Sequence, residues 1–311
     1  GMADSYNNIG AAYHSLGNYP EALKNQLLAL KIKEAGSDKK EVAISLTNLG
    51  NVYYSQGNYA EALNKYFAVL KICKGLDYKY GIALSYNNIG AVYTDQGNYE
   101  EALKNHFASL KIKEESPDRS GLAISYINIG LAYYNLEKYK DALQYYLTAL
   151  RINEELGDKE GIALLCNNLG LLFLEQGKAD ESRKYLDRGL KMARETGSLN
   201  DIKASYEHLS SLDSVTGNYR SALENYKLFI AYRDSMSNEE NTKKTVQTEM
   251  QYEFDKKEAA GNLEREKKDA IAAAETKKQR IILFAISGFG LLVLGFAVFA
   301  YRSFLQKKRA N

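Results

Sequence analysis

The sequence predicts an all-α protein: a solenoid of six 40-residue helix hairpins over 1–244, a helical connector at 245–280, one transmembrane helix at 281–301 and a basic juxtamembrane tail at 302–311. Three observations predict it. The forty residues Ser85–Ile124 recur almost unchanged at 5–44, 45–84 and 125–164, with degraded copies at 165–204 and 205–244. Within the third copy, apolar residues fall at helical spacing on both sides of a break at Gly97-Asn98-Tyr99. Ile281–Tyr301 holds 21 residues with no charge among them. Fixed-period self-similarity marks a repeat architecture, in which each unit buries its apolar face on its neighbours and no single large core forms.

The hairpin is read from the third copy. Tyr86, Ile89, Gly90 and Tyr93 are offset by three, four and seven, which is one face of a helix. Gly97 can take the left-handed conformation that ends a helix. Asn98 then caps the next helix, with Glu101 placed three residues on as in a capping box, and Asn18/Glu21 and Asn58/Glu61 repeat the arrangement. Ala102, Leu103, Phe107, Leu110 and Ile112 continue as a second helix. A mid-helix glycine recurs at Gly10, Gly50, Gly90, Gly130 and Gly170. Glycine there costs about 0.5–1 kcal/mol relative to alanine, so its recurrence predicts close helix contact. The small Ala22, Ala62, Ala102 and Ala142 of the second helix are the expected matching surface.

These residues resemble the tetratricopeptide repeat (TPR) family, whose pattern of aromatic-x-x-Leu-Gly-x-x-Tyr, then Gly-x-Tyr, then Ala reads here as Tyr86, Ile89, Gly90, Tyr93, Gly97, Tyr99 and Ala102. Two departures stand out. The common family repeat has about 34 residues, and the family's proline after the second helix is replaced by Glu34, Lys74 and Glu114. The second helix is therefore expected to be longer, by up to about six residues or ~9 Å. The 40-residue form is similar to long-helix TPR arrays that bind peptides or proteins.

One polar column occupies positions where apolar residues would be easier: Asn8, Asn48, Asn88, Asn128 and Asn168, with a partner column of Asn7, Asn87 and Asn167. Asparagine is a mediocre helix former, so the recurrence needs a cause. Asn7, Ala11 and His14 share a face turned away from Tyr6, Ile9 and Tyr13. The TPR resemblance implies that this face lines a concave groove, where amides that both donate and accept can hold a peptide backbone. Tyr54, Tyr134 and Thr94, at the position of His14, would add to the groove. The other reading is an asparagine ladder that bonds adjacent first helices to one another.

Composition narrows the function. Lys plus Arg is 41 and Asp plus Glu is 39, and a net charge of +2 implies no nucleic-acid partner. Cys73 and Cys166, on different units at apolar positions, read as small buried side chains. His14, His106 and His208 fall at different repeat positions and lack the short spacing of a zinc site. Gly170–Lys178 is spaced wrongly for a phosphate-binding loop. No nucleophile–base pair is visible, so no catalytic site, metal or cofactor is expected. Gly1-Met2-Ala3 is in phase with Gly81-Ile82-Ala83, so the chain is read as starting inside the end of a preceding unit; an added Gly-Met is the other reading.

The later units drift. Ala179 and Ser182 replace a turn tyrosine and a small alanine, and the sixth unit has His208, Ser210, Ser211, Asp213 and Ser214. Polar drift suits a capping unit whose outer face meets water. The connector carries Val246, Met250 and Phe254 as a short apolar stripe. The charge-free stretch matches a bilayer core of about 30 Å, with Arg280 and Arg302 bracketing it and Tyr301 suited to the interface. Lys and Arg counts on its two sides nearly tie.

This order of parts resembles bacterial membrane-anchored signalling proteins with an extracytoplasmic TPR sensor, a connector, one span and a cytoplasmic output module of histidine kinase or DNA-binding type. The resemblance implies a sensor region in the bacterial inner membrane, its tail cytoplasmic, with an output module missing from this chain. The expected partners are a peptide or protein in the groove and the membrane at 281–301, and a homodimer through connector and span is compatible with the pattern. A tail-anchored, cytoplasm-facing scaffold is the alternative.

Overall fold

The computed structural model describes residues 1–36, 38–236, 261, 264–273, 275–279, 296 and 302. The chain divides into two compact units, Gly1–Thr245 and Val246–Asn311.

The first unit is all helical. Its elements are α1 (Met2–Ser15), α2 (Tyr19–Glu34), α3 (Lys39–Ser55), α4 (Tyr59–Gly75), α5 (Lys79–Asp95), α6 (Tyr99–Glu114), α7 (Arg119–Asn135), α8 (Tyr139–Leu156), α9 (Lys159–Glu175), α10 (Ala179–Thr196) and α11 (Leu199–Val215). A twelfth, α12, occupies 219–236. Odd and even helices pair as hairpins, each hairpin packs on the next, and the all-α solenoid expected from the period is what forms.

The turn inside each hairpin follows from three residues. Gly97 has φ +74°, its N–H bonds Thr94 O at 3.0 Å, and the Asn98 N–H bonds Tyr93 O at 2.9 Å. This is a Schellman closure, and the left-handed residue it needs is glycine in most units. Asn98 then caps α6 by accepting from Glu101 N at 3.4 Å, as Asn18 and Asn58 do for α2 and α4. The reciprocal half of the expected capping box is not made. The Asn98 N–H that Glu101 would have taken already belongs to the Tyr93 carbonyl.

The unit boundary differs from the one the repeat match suggested. Each inner first helix begins six residues before it, at Lys39, Lys79, Arg119 and Lys159. Asp38, Asp118 and Asp158 cap those starts, accepting from Lys40 N at 2.8 Å, Gly121 N at 2.8 Å and Gly161 N at 3.1 Å. The extra length therefore goes to both helices of the hairpin, at 17 residues in α3 and 17 in α4, and not to the second alone. Gly1–Ala3 accordingly stand at the start of a first helix, as Gly81–Ala83 do in α5.

The mid-helix glycines do admit a close approach, but not to alanine. A Cβ on Gly50 would lie 2.5 Å from the Tyr66 ring, on Gly90 2.6 Å from His106, and on Gly130 2.6 Å from Tyr146; Gly10 faces Gln26 and Gly170 faces Leu186. Each glycine is a socket for one large side chain of the second helix. Ala62, Ala102 and Ala142, four residues earlier, are fully buried without being that partner. Leu49, Ile89, Ile129 and Leu169 form the buried column of the first helices. Their counterpart Ile9 is 43% exposed, because among the described residues nothing packs on the far side of α1.

His106 is the one side chain in such a socket whose ordinary pKa lies near neutrality. It is 1% exposed and its Nδ1 has no partner. Burial first, and the charge of Lys113 second, push its pKa from 6.5 down to about 4. An unfolded chain takes up that proton near pH 6.5, so between about 6.5 and 4 the unfolded state binds more protons than the folded one. Stability is complete above that window and falls as pH drops through it. Burial lowers His14 and His208 in the same direction. Urea midpoints measured from pH 7.5 to 5 are expected to decline, and His106→Tyr, the residue present in the sockets of Gly50 and Gly130, should flatten the decline. An unchanged slope in that variant would show that His106 is not its source.

Two other expectations are corrected. Asp213 does not meet water. It is 2% exposed, paired with Arg183 and bonded by Asn225 Nδ2 at 2.8 Å. A carboxylate fits there only because both partners come with it. The transmembrane helix is not supported. Among the described residues no helix is long and apolar enough to cross a membrane. Among the described residues the longest helices, α8, α10 and α12, have 18 residues with charges throughout, against about 20 predominantly apolar residues for a span. The 281–301 stretch, Phe296 excepted, lies outside the described residues. The single-pass placement, the tail-anchored alternative and a homodimer through connector and span are not carried forward.

In the second unit, 264–273 and 275–279 are helical and exposed, with a Glu264–Lys268 ion pair at 2.8 Å. The stripe Val246, Met250 and Phe254 lies outside the described residues.

Candidate functional site

First helices of successive hairpins touch directly, α1 with α3, α5 with α7 and α9 with α11, whereas among α1 to α11 no pair of second helices comes as close. The first helices therefore form the inner side of the array. Side chains 41 residues apart lace them together. His14 Nε2 meets Ser55 Oγ at 2.8 Å, the Tyr54 hydroxyl donates to Asp95 Oδ2 at 2.6 Å, and Asn128 Nδ2 donates to Asn87 Oδ1 at 3.0 Å.

Bonding and burial divide the asparagines into three kinds. Asn87 and Asn128 bond to each other across neighbouring helices, as a ladder would. Asn167 is 2% exposed, accepting from Ser205 Oγ at 2.7 Å and donating to the Asp201 carbonyl at 3.2 Å. Asn7 is 8% exposed with an unpartnered Oδ1 beneath Gln26, whose Nε2 donates to the Asn7 carbonyl at 3.1 Å. Asn7 and Asn167 thus belong to the packing and not to the open face. Asn8, Asn48, Asn88 and Asn168 are exposed or half-buried, and among the described residues their side chains make no hydrogen bond.

The two tyrosines of the expected site flank this column. Tyr54 and Tyr134 are half-buried, their rings tilted against Tyr59 at 6.1 Å and Tyr139 at 5.7 Å. Burial, then the charge of Glu175, pushes the Tyr134 hydroxyl up to about 12. Both hydroxyls stay neutral donors at ordinary pH.

One feature of the face is not apparent from the asparagines alone. One turn before them stand Ile44, Leu84, Ile124 and Leu164, of which Ile44, Ile124 and Leu164 are 48%, 46% and 41% exposed. Three residues after them stand Asn51, Ala91, Leu131 and Leu171. Residues three and four apart share a helix face, so these three rows make one surface over the second to fifth hairpins. It carries no charged side chain, in a chain that is 26% charged. Charges return at its margins, with Lys40 and Glu160 on one side and Asp95 and Glu175 on the other, all exposed. The 40-residue period that revealed the asparagines, applied four positions earlier, would have found the apolar row.

A second depression, of about 400 Å³, opens between α6 and α8 and is lined by Phe107, Lys111, Tyr126 and Tyr145, among others. Tyr145 stacks on Tyr133 at 5.5 Å and on Tyr126 at 6.1 Å. The aromatic rings pack its floor as an extension of the core. Cys73 and Cys166 are free and buried, and burial pushes the Cys166 thiol up to about 11, so neither offers a thiolate. Among the described residues no group of three His, Cys, Asp or Glu is placed to hold a metal.

Comparison with known proteins agrees with this geometry. The tetratricopeptide repeat models match residues 1–74, 81–155 and 127–197. A search of curated proteins finds no match. Among solved structures the chain is similar to the apo form of RapI, at 20% identity and TM-score 0.63, covering 76% of this chain and 85% of that one. It is similar to a Rap protein complexed with competence and sporulation factor, at 21% identity and TM-score 0.56, covering 75% of each. The apo form of the quorum sensor NprR from B. thuringiensis aligns at 20% identity and TM-score 0.64, covering 74% of this chain and 65% of that one. At such identities the likeness shows the fold. With repeat models matching more than half of its length, the chain belongs to the tetratricopeptide repeat family, as a protein–protein interaction module built from stacked helix hairpins.

Proposed function

We propose that this chain is a non-catalytic module that holds a peptide, or an extended segment of a partner protein, on the exposed face of its first helices. The observation that carries the reading is the row of unbonded amides at Asn48, Asn88 and Asn168. An amide both donates and accepts, so a row of them suits a ligand backbone that does the same at every residue. The similarity to a Rap protein complexed with competence and sporulation factor and to the quorum sensor NprR supports a further step, in which the module is the sensor region of a bacterial signalling protein. Ligand binding would then favour one arrangement of the hairpins over another, which requires different affinity for the two.

The test is to select binders from a random twelve-residue phage-displayed library on the full chain, then to measure them against Asn48→Ala/Asn88→Ala/Asn168→Ala. Each lost bond contributes about 0.5–1.5 kcal/mol, so the triple variant should weaken binding by tenfold or more. Unchanged affinity would place the ligand elsewhere.

A further inference from the structure

The amides say that a backbone is held, but not which side chains come with it. The rows beside them do. Neutrality over three rows and four hairpins is a property of this face and not of the chain, since the exposed positions of the second helices are rich in Lys and Glu. A ligand charge brought onto it would lose water and meet no counter-charge, which is unfavourable. The exposed aliphatic row runs alongside the amides in the same register, one helix turn away, so a backbone on the amides can turn side chains onto it.

Spacing fixes the period. Packed helices stand about 8–10 Å apart, and an extended chain in the polyproline II form rises about 3.1 Å per residue with three residues per turn, so every third side chain points the same way and the backbone groups stay free for the amides. One step between neighbouring first helices therefore spans about three ligand residues. A helical ligand would cover the same step in about seven residues at 1.5 Å each, but its backbone groups are already bonded internally and leave the amides nothing to read.

Resting on the function proposed above, we infer that the ligand is an uncharged segment of about ten residues, extended in the polyproline II form, carrying an aliphatic or aromatic side chain at every third position. Those side chains lie on the row from Ile44 to Leu164. The row ends at Asp4 and at Ala204, which sets the length at the second to fifth hairpins.

The experiment uses the full chain and labelled synthetic peptides read by fluorescence anisotropy. The probe is a Gly/Ser/Thr decapeptide with leucine at every third residue. Its comparators carry lysine or glutamate at those positions, and a longer alanine-rich helical peptide carries leucine at every seventh. The leucine decapeptide should bind at least tenfold more tightly than any comparator. Ile124→Asp/Leu164→Asp should weaken it at least tenfold, and Ile124→Ser/Leu164→Ser at least threefold, with thermal melts unchanged because both positions are exposed. Equal or tighter binding of a charged or helical comparator overturns the inference, as does indifference to the substitutions or no binding by the leucine decapeptide. If a comparator binds and is lost in the triple asparagine variant, only the ligand class falls. If whatever binds ignores that variant, the groove reading falls with it.

Discussion

Tyr146→Ala is expected to cost about 3–5 kcal/mol of unfolding free energy, Gly130→Ala about 1–3 kcal/mol, and the two together less than their sum. Tyr146 is 1% exposed, in the largest buried cluster of the array, so its truncation leaves a cavity that rigid helices cannot close. Alanine in a helix interior ordinarily stabilises by about 0.5–1 kcal/mol relative to glycine. At Gly130 the new methyl would lie 2.6 Å from the Tyr146 ring, far inside contact distance, and the clash dominates. Remove the ring and the methyl occupies space the ring has left. The coupling expected for a directly contacting pair is about 0.5–3 kcal/mol, measured by urea denaturation of the four proteins in the cycle. Strict additivity would mean that Gly130 and Tyr146 do not face each other. Gly10→Ala is the control. Its opposite number is the flexible end of Gln26, which can move at the expense of its bond to Asn7.

That pair also shows what a one-dimensional reading can and cannot reach. The hairpins, the glycine turn and the asparagine cap were legible because each depends on residues within five positions, and the period repeats the signal. The partner of the mid-helix glycine was not. Ala102 and His106 are one helix turn apart on the same face of α6, and only the relative placement of two helices decides which of them enters the socket of Gly90. The asparagine columns divided for the same reason. Asn7 and Asn8 are adjacent in sequence, yet a rotation of about 100° per residue puts one beneath Gln26 and the other in solvent. Asp213 misled because an isolated acid reads as surface, and the Arg183 that makes its burial tolerable lies thirty residues upstream on another helix. The apolar row at Ile44, Leu84, Ile124 and Leu164 was present in the same alignment of repeats. Alone it reads as ordinary core, and only its exposure in the folded array separates it from Leu49 and Ile89 five residues on.

Leu169→Ala is expected to cost about 2–5 kcal/mol and, more tellingly, to divide the array. Leu169 is fully buried in α9 within the cluster that joins the fourth hairpin to the fifth, among Tyr146, Leu150, Leu165 and Leu172. The cluster around Tyr66, Leu70, Ile89 and Val92 joins the second hairpin to the third and shares no buried residue with it. In a solenoid, stability is close to a sum of unit terms and nearest-neighbour interface terms. A cavity at one interface therefore weakens that interface first, and the hairpins beyond it keep their own contacts. Native-state hydrogen exchange should show protection falling in α7–α10 while α3–α6 hold theirs, and the thermal transition should broaden or split. Ile89→Ala, equally buried in the other cluster, should give the mirror pattern. If either substitution lowers protection evenly from α1 to α11, the hairpins fold as one cooperative block. A bias at one interface would then be felt at all of them, which is the property a ligand-reading array would need in order to report occupancy along its length.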